Sequence, residues 1–431
     1  MLAGELPLVT ALPFVALLLA IALAPLAAPH WWHHNRNKAL VALLVSAPIL
    51  VYLGIHAPEL LYEKFHEYIG FIVVIGALFV VAGGIHIEGS LAGTPLVNTG
   101  VLGLGAVLAN LLGTTGASVL LIRPLLRANK RRKRVAHIVI FFIFIVANCG
   151  GLLTPMGDPP LLLGYLKGVP FGWTLRLWPQ WLVVNGTLLA LFGIWDRWAM
   201  SKEEKDEAVL MHEPLRITGG VEMLVLLGII VTIVAAGRAA AAGQPWSQNI
   251  REVFIVLLAL FGYFAGSSER RGKNAFTFAP IIEVAVLFAA IFATMTPVLE
   301  MLNAWAQRPD FALTTPAHFF WASGALSSVL DNAPTYLAFA ASAAGLQGVA
   351  PHGAYIGTLV VNPEAATLLA AISTGAVFMG ANTYIGNAPN FMVKAIAEEN
   401  GVKMPSFFGY MAYSVGILLP LFALVSLVFF R

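Results

Sequence analysis

The 431-residue chain is 59% hydrophobic and 11% charged, with a formal net charge of +3 and a mean hydropathy of +0.82. A soluble globular domain carries about 25% charged residues, so this composition excludes an ordinary water-soluble fold. The single cysteine, Cys149, excludes an internal disulfide framework and a multi-cysteine metal site, and no nucleic-acid signature is present.

Apolar runs of roughly 20 residues, the length that crosses a bilayer, recur along most of the chain. In order they predict ten spans: 8–28, 39–56, 67–88, 135–168, 173–196, 220–242, 251–267, 275–300, 355–398 and 406–430. The first is preceded by Glu5 and by no Lys or Arg, so it lacks the positive flank of a secretory signal and reads as a retained helix. Two spans, 135–168 and 355–398, are too long for a simple helix and hold Gly and Pro clusters in mid-run. Two further stretches, 97–126 and 315–345, are interrupted by small, polar and Pro residues. They read as re-entrant hairpins, which enter and leave on one side.

Loop charges orient this arrangement. With loops near 30–38, 89–97, 127–134, 197–218, 268–274 and 399–405 in the cytoplasm, that side gathers the bulk of the 25 Lys and Arg. This satisfies the positive-inside rule and makes the basic run Arg127–Arg134 a membrane-flanking topology anchor. Each half then holds five spans, an odd number, so the second half must enter the membrane inverted. The expected fold is an all-α integral membrane protein of two inverted repeats, 1–196 and 219–431, joined by a cytoplasmic linker, 197–218. Each repeat carries a re-entrant hairpin and a broken helix.

The long spans share a motif. Residues 151–160 read GLLTPMGDPP and residues 380–389 read GANTYIGNAP, so G-x-x-T-x-x-G-[DN]-x-P recurs at a constant offset of 229 residues. Gly- and Pro-interrupted helices at matching places in two halves mark the substrate site of a secondary transporter. Unwound backbone survives in a bilayer only where protein or a polar cavity surrounds it. A break frees carbonyls that can coordinate a cation and exposes a helix N-terminus that favours an anion. Pro159, Pro160 and Pro389 suit the first turn of the restarting half-helices. A plain Pro-kinked helix is the simpler alternative, but both breaks also carry polar side chains. The hairpins align without gaps so that Asn110 faces Ser328 and Gly113 faces Asp331, each in a short polar cluster.

Two carboxylates stand out, Asp158 at the first break and Asp331 in the second hairpin. An ionisable residue inside a membrane costs at least a few kcal/mol, so it is rarely kept without a role. Such a group can bind H⁺ and Na⁺ in competition, which is the chemistry of exchange. The alternative for either is a helix cap that ties down a turn.

At these residues the chain resembles the ion transporter superfamily, which holds NhaD-type sodium/proton antiporters, arsenite exporters and citrate/dicarboxylate carriers. The resemblance is carried by residues 148–160 (NCGGLLTPMGDPP), 331–335 (DNAPT) and 383–390 (TYIGNAPN) and covers nearly the whole chain. It implies a homodimer in which a scaffold holds the interface and a transport domain moves in an elevator-like way. Dicarboxylate carriers of the group bind Na⁺ and the carboxylate through Ser-Asn-Thr triplets at the hairpin tips. Here the tips read GTTG (113–116) and DNAP (331–334), which departs from that pattern. Asp158 and Asp331 resemble instead the acidic positions of the antiporter branch.

The leading expectation is sodium/proton antiport by alternating access at a multi-pass, cytoplasmic (inner) membrane location. Asp158 and Asp331 are the Na⁺-site candidates, with Asn110, Thr114, Thr115, Thr154, Gly157, Ser328, Asn332, Thr383, Gly386, Asn387 and Asn390 lining the site. No cofactor is expected, Na⁺ and H⁺ entering as transported or coupling ions. The expected partners are a small ion, the lipid bilayer and a second copy of the chain, with no nucleic acid. A cation-coupled citrate/dicarboxylate carrier and an arsenite-type anion exporter are the alternatives. A channel would not need two mirrored gates, and no nucleophile–base set points to an enzyme. His86, His137 and His318 read as hydrogen-bonded interfacial residues, His30, His33 and His34 with Trp31 and Trp32 as an interfacial belt, and Lys167 and Lys394 as side chains that snorkel to the surface.

Overall fold

The computed structural model describes residues 7–203, 213–247 and 249–431. Among them, nine helical segments are long and apolar enough to cross a membrane, and the molecule is a nearly all-helical multi-pass membrane protein. The first half runs α1 (Leu12–Ala27), α2 (Pro29–Trp32), α3 (Asn35–His56), α4 (Pro58–Gly84), β1 (His86–Ser90), α5 (Pro95–Ala128), α6 (Ala136–Ile145), α7 (Pro159–Leu166) and α8 (Trp178–Ser201). The second runs β2 (Glu213–Thr218), α9 (Gly220–Ala241), α10 (Ile250–Ala265), α11 (Ser268–Lys273), α12 (Ala279–Ala306), α13 (Pro316–Ser327), α14 (Asn332–Leu346), α15 (Tyr355–Leu359), α16 (Pro363–Met379), α17 (Ala388–Glu399) and α18 (Phe407–Phe429). Leu224, Leu227, Phe254, Leu257, Phe261 and Phe264 on α9 and α10 point outward, as a surface solvated by lipid allows. By contrast α6 is buried from His137 to its last residue, which gives it no lipid face.

Two features differ from the sequence expectation. The run 67–88 is not helical to its end: Gly83 and Gly84 close α4, and His86–Ser90 pairs antiparallel with Glu213–Thr218, His86 opposite Thr218. Asn274 secures the end of α4, its Nδ2 donating to the carbonyls of Gly83 at 2.8 Å and Ile85 at 2.7 Å. The expected linker therefore holds a strand, and its centre, 204–212, lies outside the described residues, as do residues 1–6. The run 355–398 is three helices rather than one broken one, because Asn362 caps a fresh start at Pro363, accepting from the Glu364 N–H.

Helix α5 is a hairpin. Its backbone leaves the helical region at Gly113 (φ 76°, ψ 158°), a left-handed conformation that glycine adopts without a Cβ penalty. Asn98 and Asn129, near its two ends, donate to each other at 3.0 and 2.8 Å, so the arms lie side by side. Helices α13 and α14 form the second hairpin around residues 328–331, with Phe319 and Phe339 in edge contact.

Helix α12, 28 residues and about 42 Å long, serves as a ruler. Arg123 of the first hairpin donates to the Asn274 carbonyl, just before α12 begins. Asn303, near its end, donates to the carbonyls of Ala341 and Val349 at the base of the second hairpin. The two hairpins thus approach from opposite ends of α12. In both halves the order is hairpin, interrupted helix, flanking helix.

Candidate functional site

The two interruptions are built alike, residue by residue. Each passes through a short 3-10 turn, Cys149–Leu152 and Gly380–Asn382, before the chain restarts as α7 or α17. Thr154 Oγ1 donates to the Asn110 carbonyl and Thr383 Oγ1 to the Ser328 carbonyl, both at 2.5 Å. These are the hairpin positions that the gapless alignment sets opposite each other. The glycines of the motif bring backbone against backbone: a Cβ on Gly157 would lie 2.1 Å from the Gly151 oxygen, and one on Gly386 2.6 Å from the Gly380 oxygen.

Side chains take the place of the missing helix ladder. The flanking helices supply them at the same 229-residue offset: Trp181 and Asn185 of α8 donate to the carbonyls of Gly150 and Cys149, while Tyr410 and Ser414 of α18 donate to those of Ala381 and Asn382. Asn110 closes the first break further, donating to the Gly150 carbonyl and accepting from the Leu153 N–H. Asn390 does so in the second, donating to the carbonyls of Gly380 and Thr383. Ser328 donates to the Gly324 and Met379 carbonyls and accepts from Asn382. Many carbonyls expected to wait for a cation are thus already hydrogen-bonded, each bond contributing on the order of 1 kcal/mol.

What remains free is decided by proline. Asp158 and Asn387 occupy the N-cap positions of α7 and α17 with nearly the same extended backbone (φ −149°, ψ 147° and φ −152°, ψ 138°), yet neither side chain caps its own helix. An N-cap side chain accepts from the second or third N–H of the helix. Pro160 and Pro389 sit at that second position and have no N–H, while Leu161 and Asn390 donate to the backbone carbonyls of Asp158 and Asn387. Both side chains are therefore released to turn toward the junction of the halves. Asp331 is the counter-example. Its proline, Pro334, comes third in α14, the second position keeps its N–H, and Asp331 accepts from Ala333 at 3.0 Å.

Asp158 is only 2% exposed. Its Oδ1 accepts from Thr114 Oγ1 at 2.9 Å and from Asn387 Nδ2 at 3.3 Å, and its Oδ2 accepts from Asn332 Nδ2. Thr114 comes from the first hairpin, Asn332 from the second, and Asn387 from the second interruption, so all four motif segments meet at one carboxylate. None of its hydrogen-bond partners is positively charged. Asn332 is fully buried, and its Oδ1 has no hydrogen-bond partner. Asn148 ties the two breaks together, donating to Asn390 Oδ1 at 2.6 Å and accepting from Asn387 Nδ2 at 3.2 Å.

A cavity of about 70 Å³ reaches this carboxylate. The hairpin residues 112–116 and the break residues 155–159 form one wall, Ile75, Leu78 and Phe79 of α4 and Pro280, Ile281 and Val284 of α12 the other. No Lys, Arg or His lines it. Gly157 and Thr115 face this cavity, and the Gly157 carbonyl accepts from the Thr114 N–H. Among the described residues, no group of three or more His, Cys, Asp or Glu side chains has the arrangement to hold a metal ion.

The structure brings together Asp158, Thr114, Asn332 and Asn387, and sets Asn110, Thr154, Ser328, Thr383, Gly386 and Asn390 as the stitching around them. It does not join Asp331 to the cluster by any hydrogen bond; that residue caps a helix. Lys167 does not snorkel. It is 1% exposed and pairs with Glu67 at 2.7 Å, whereas Lys394 pairs with Glu398 at the surface. Arg132, within the basic run read as a surface anchor, is buried against Asp196. His137 hydrogen-bonds the same Asp196, and His86 lies 2.5 Å from Asn274. Sequence reasoning missed Asn148, Trp181, Asn185, Tyr410 and Ser414. The last four were open to discovery, because the 229-residue offset of the motif pairs Trp181 with Tyr410 and Asn185 with Ser414.

Residues 3–430 match the family model CitMHS_2, described as "putative citrate transport". The chain belongs to this family. A search of curated proteins returned no relative. Membership of a transport family across nearly the whole chain fits the resemblance to the citrate-carrier group of the ion transporter superfamily, and makes the molecule a multi-pass membrane transporter.

Proposed function

We propose that the protein is a secondary active transporter of the cell (inner) membrane in which Asp158 binds a cation and a proton in alternation, giving sodium/proton antiport. The observation that carries this reading is a buried carboxylate held by one hydroxyl and two amides, with no cationic partner among them. Desolvating a carboxylate costs several kcal/mol, which a fixed cation would offset. Here a mobile one does: H⁺ in one phase of the cycle, Na⁺ in the other. The orphan Oδ1 of Asn332, an acceptor beside the carboxylate, supports a cation at this point. Because protonation and Na⁺ binding exclude each other, apparent Na⁺ affinity falls as pH is lowered. The cavity volume, about 70 Å³, suits a small ion with a few waters.

Hairpins entering from opposite ends of α12 support reading the halves as inverted repeats that alternate access. The second reading, cation-coupled citrate transport, is favoured by the family description. A polyanion needs cationic or N–H donors. The cavity offers no basic side chain, and the N-terminus of α7 begins with two prolines that lack the N–H. Citrate would therefore have to meet its donors outside this cavity, with Asp158 as the coupling-ion site.

The test is counterflow in proteoliposomes with ²²Na⁺ and with labelled citrate, for the parent and Asp158→Asn. Sodium exchange that disappears in the variant supports antiport. Citrate uptake that needs a cation gradient transfers the reading to the carrier branch. Undiminished fluxes of both kinds in the variant remove Asp158 from the mechanism.

A further inference from the structure

Far from the pocket, a cluster of charged side chains joins α4 to the other end of α7. Lys64 and Lys167 are both buried, and both donate to the same oxygen, Glu67 Oε1, at 3.0 and 2.7 Å. Glu63 lies 3.5 Å from Lys64 and accepts from the Gly353 N–H at 2.8 Å, while His352 lies 3.4 Å from Glu300. Lys167 also stands 5.1 Å over the ring of Tyr355. An open cleft of about 410 Å³, lined by Glu63, Glu67, Leu166 and Gly353 among others, lies directly outside this cluster.

Three elements connect the cluster to the pocket, and they run in the same sense. On α7, Asp158 stands at the N-cap and Lys167 at the C-cap, eight residues and about 12 Å of helix apart. On α4 the cavity touches Ile75 to Phe79 and the cluster Glu63 to Glu67. On α12 the cavity touches Pro280 to Val284 and the cluster reaches Glu300. The cavity therefore lies toward the start of α12, and the ion pairs lie toward its finish.

We propose that the Glu67–Lys167 pair is the gate on the second side of the pocket, and that it separates when Asp158 is exposed to that side. The inference rests on reading the pocket as a transport site. Two details fit a contact made to open. The pair is a single-point lysine contact rather than a bidentate arginine one. Lys64 shares the same oxygen, so Glu67 keeps a cation when Lys167 leaves. The buried Oε2 of Glu67 and the buried hydroxyl of Tyr355 also lack partners, so the closed state is incompletely satisfied.

The test needs no knowledge of the cargo. Ile281→Cys places a reporter thiol on the cavity wall of α12, where the native side chain is half-buried, while the native Cys149 is fully buried. A membrane-impermeant thiol reagent is applied to each face of vesicles containing the full chain. In the parent with this reporter, labelling is expected from one face only. Adding Glu67→Gln or Lys167→Gln is expected to raise labelling from the opposite face about tenfold, while Lys167→Arg stays near the parent. Near-face labelling at the parental rate certifies that each variant is folded. Equal labelling of the parent from both faces overturns the gate, as does an opposite-face rate that neither glutamine variant changes. Neither result touches the exchange assay on Asp158→Asn, so the gate and the ion site fail separately.

Discussion

Asp196 and Asp158 are both buried in the same chain, and their surroundings are opposites. Asp196 receives Arg132 at both oxygens (2.6 and 3.1 Å), His137 at 2.8 Å and Asn98 at 2.9 Å. This network ties the start and end of the first hairpin, through Asn98 and Asn129, to α6 and α8. Asp158 receives a hydroxyl and two amides and no cation. A charge meant to hold structure is compensated by a fixed partner, because a buried lone charge is expensive. A charge left with neutral donors requires a visitor. Burial alone therefore does not separate the two carboxylates; the missing counter-charge does.

The sharpest way to break this comparison is to strip Asp196 of its partner. Arg132→Met removes the guanidinium and leaves that buried carboxylate with His137 and Asn98 alone, and breaking a buried pair costs about 3–5 kcal/mol. It is expected to lower the thermal midpoint in detergent markedly. A midpoint near that of the parent would mean that the two aspartates do not differ as argued. Next comes Asp158→Asn, which removes the charge and keeps the shape; its new amide nitrogen donates where Oδ2 accepted, and Asn332 can meet it by turning its orphan Oδ1 inward. Sodium exchange is expected to fall about 100-fold or more, equivalent to ~2.7 kcal/mol, with the thermal midpoint unchanged or raised. A loss of stability in place of a loss of exchange would make Asp158 a structural residue like Asp196.

Much of this contrast was legible in the sequence, and the rest was hidden for definable reasons. Periodicity and length located most spans, and the repeated G-x-x-T-x-x-G-[DN]-x-P located both interruptions. The position of proline after each acid separated the free carboxylate from the cap: Asp158 is followed by proline at the first two helix positions, Asp331 only at the third. That spacing is present in the sequence, but its meaning depends on knowing that both residues begin helices. The Arg132–Asp196 pair joins positions 64 apart, with α6, the first interruption and α7 between them, and no local pattern announces it. In the same way Lys167 looked like a snorkelling side chain because its partner, Glu67, lies 100 residues away on α4. The β1–β2 pairing was concealed because α4 and β1 form one apolar run, ended only by what Asn274 does to its last carbonyls.

Two smaller effects refine the picture of the open site. Asn332→Leu removes both a donor to Asp158 and the orphan acceptor beside it. Hydrogen bonds to charged groups contribute about 1.5–3 kcal/mol, so apparent Na⁺ affinity is expected to drop at least ~10-fold, with the maximal rate less affected. Titrating exchange against Na⁺ separates the two; an unchanged half-saturating concentration would remove Asn332 from the ion's surroundings.

The threonines of the repeated motif make the last comparison, between the halves themselves. Thr154 and Thr383 each donate one 2.5 Å bond to the facing hairpin, so symmetry predicts equal costs on replacement by valine. The local wiring predicts otherwise. Thr383 Oγ1 also accepts from the N–H groups of Ile385 at 3.2 Å and Gly386 at 3.1 Å, bridging its own break as well as the hairpin. In the first half, the matching Gly157 N–H is taken by the Thr154 backbone carbonyl instead. Thr154→Val is expected to cost about 1 kcal/mol and Thr383→Val about 2, at the usual worth of one bond and of several. Equal shifts in thermal midpoint would show that the hairpin contact alone matters and that the second break is held by Asn390 and Ser414 without help from the threonine.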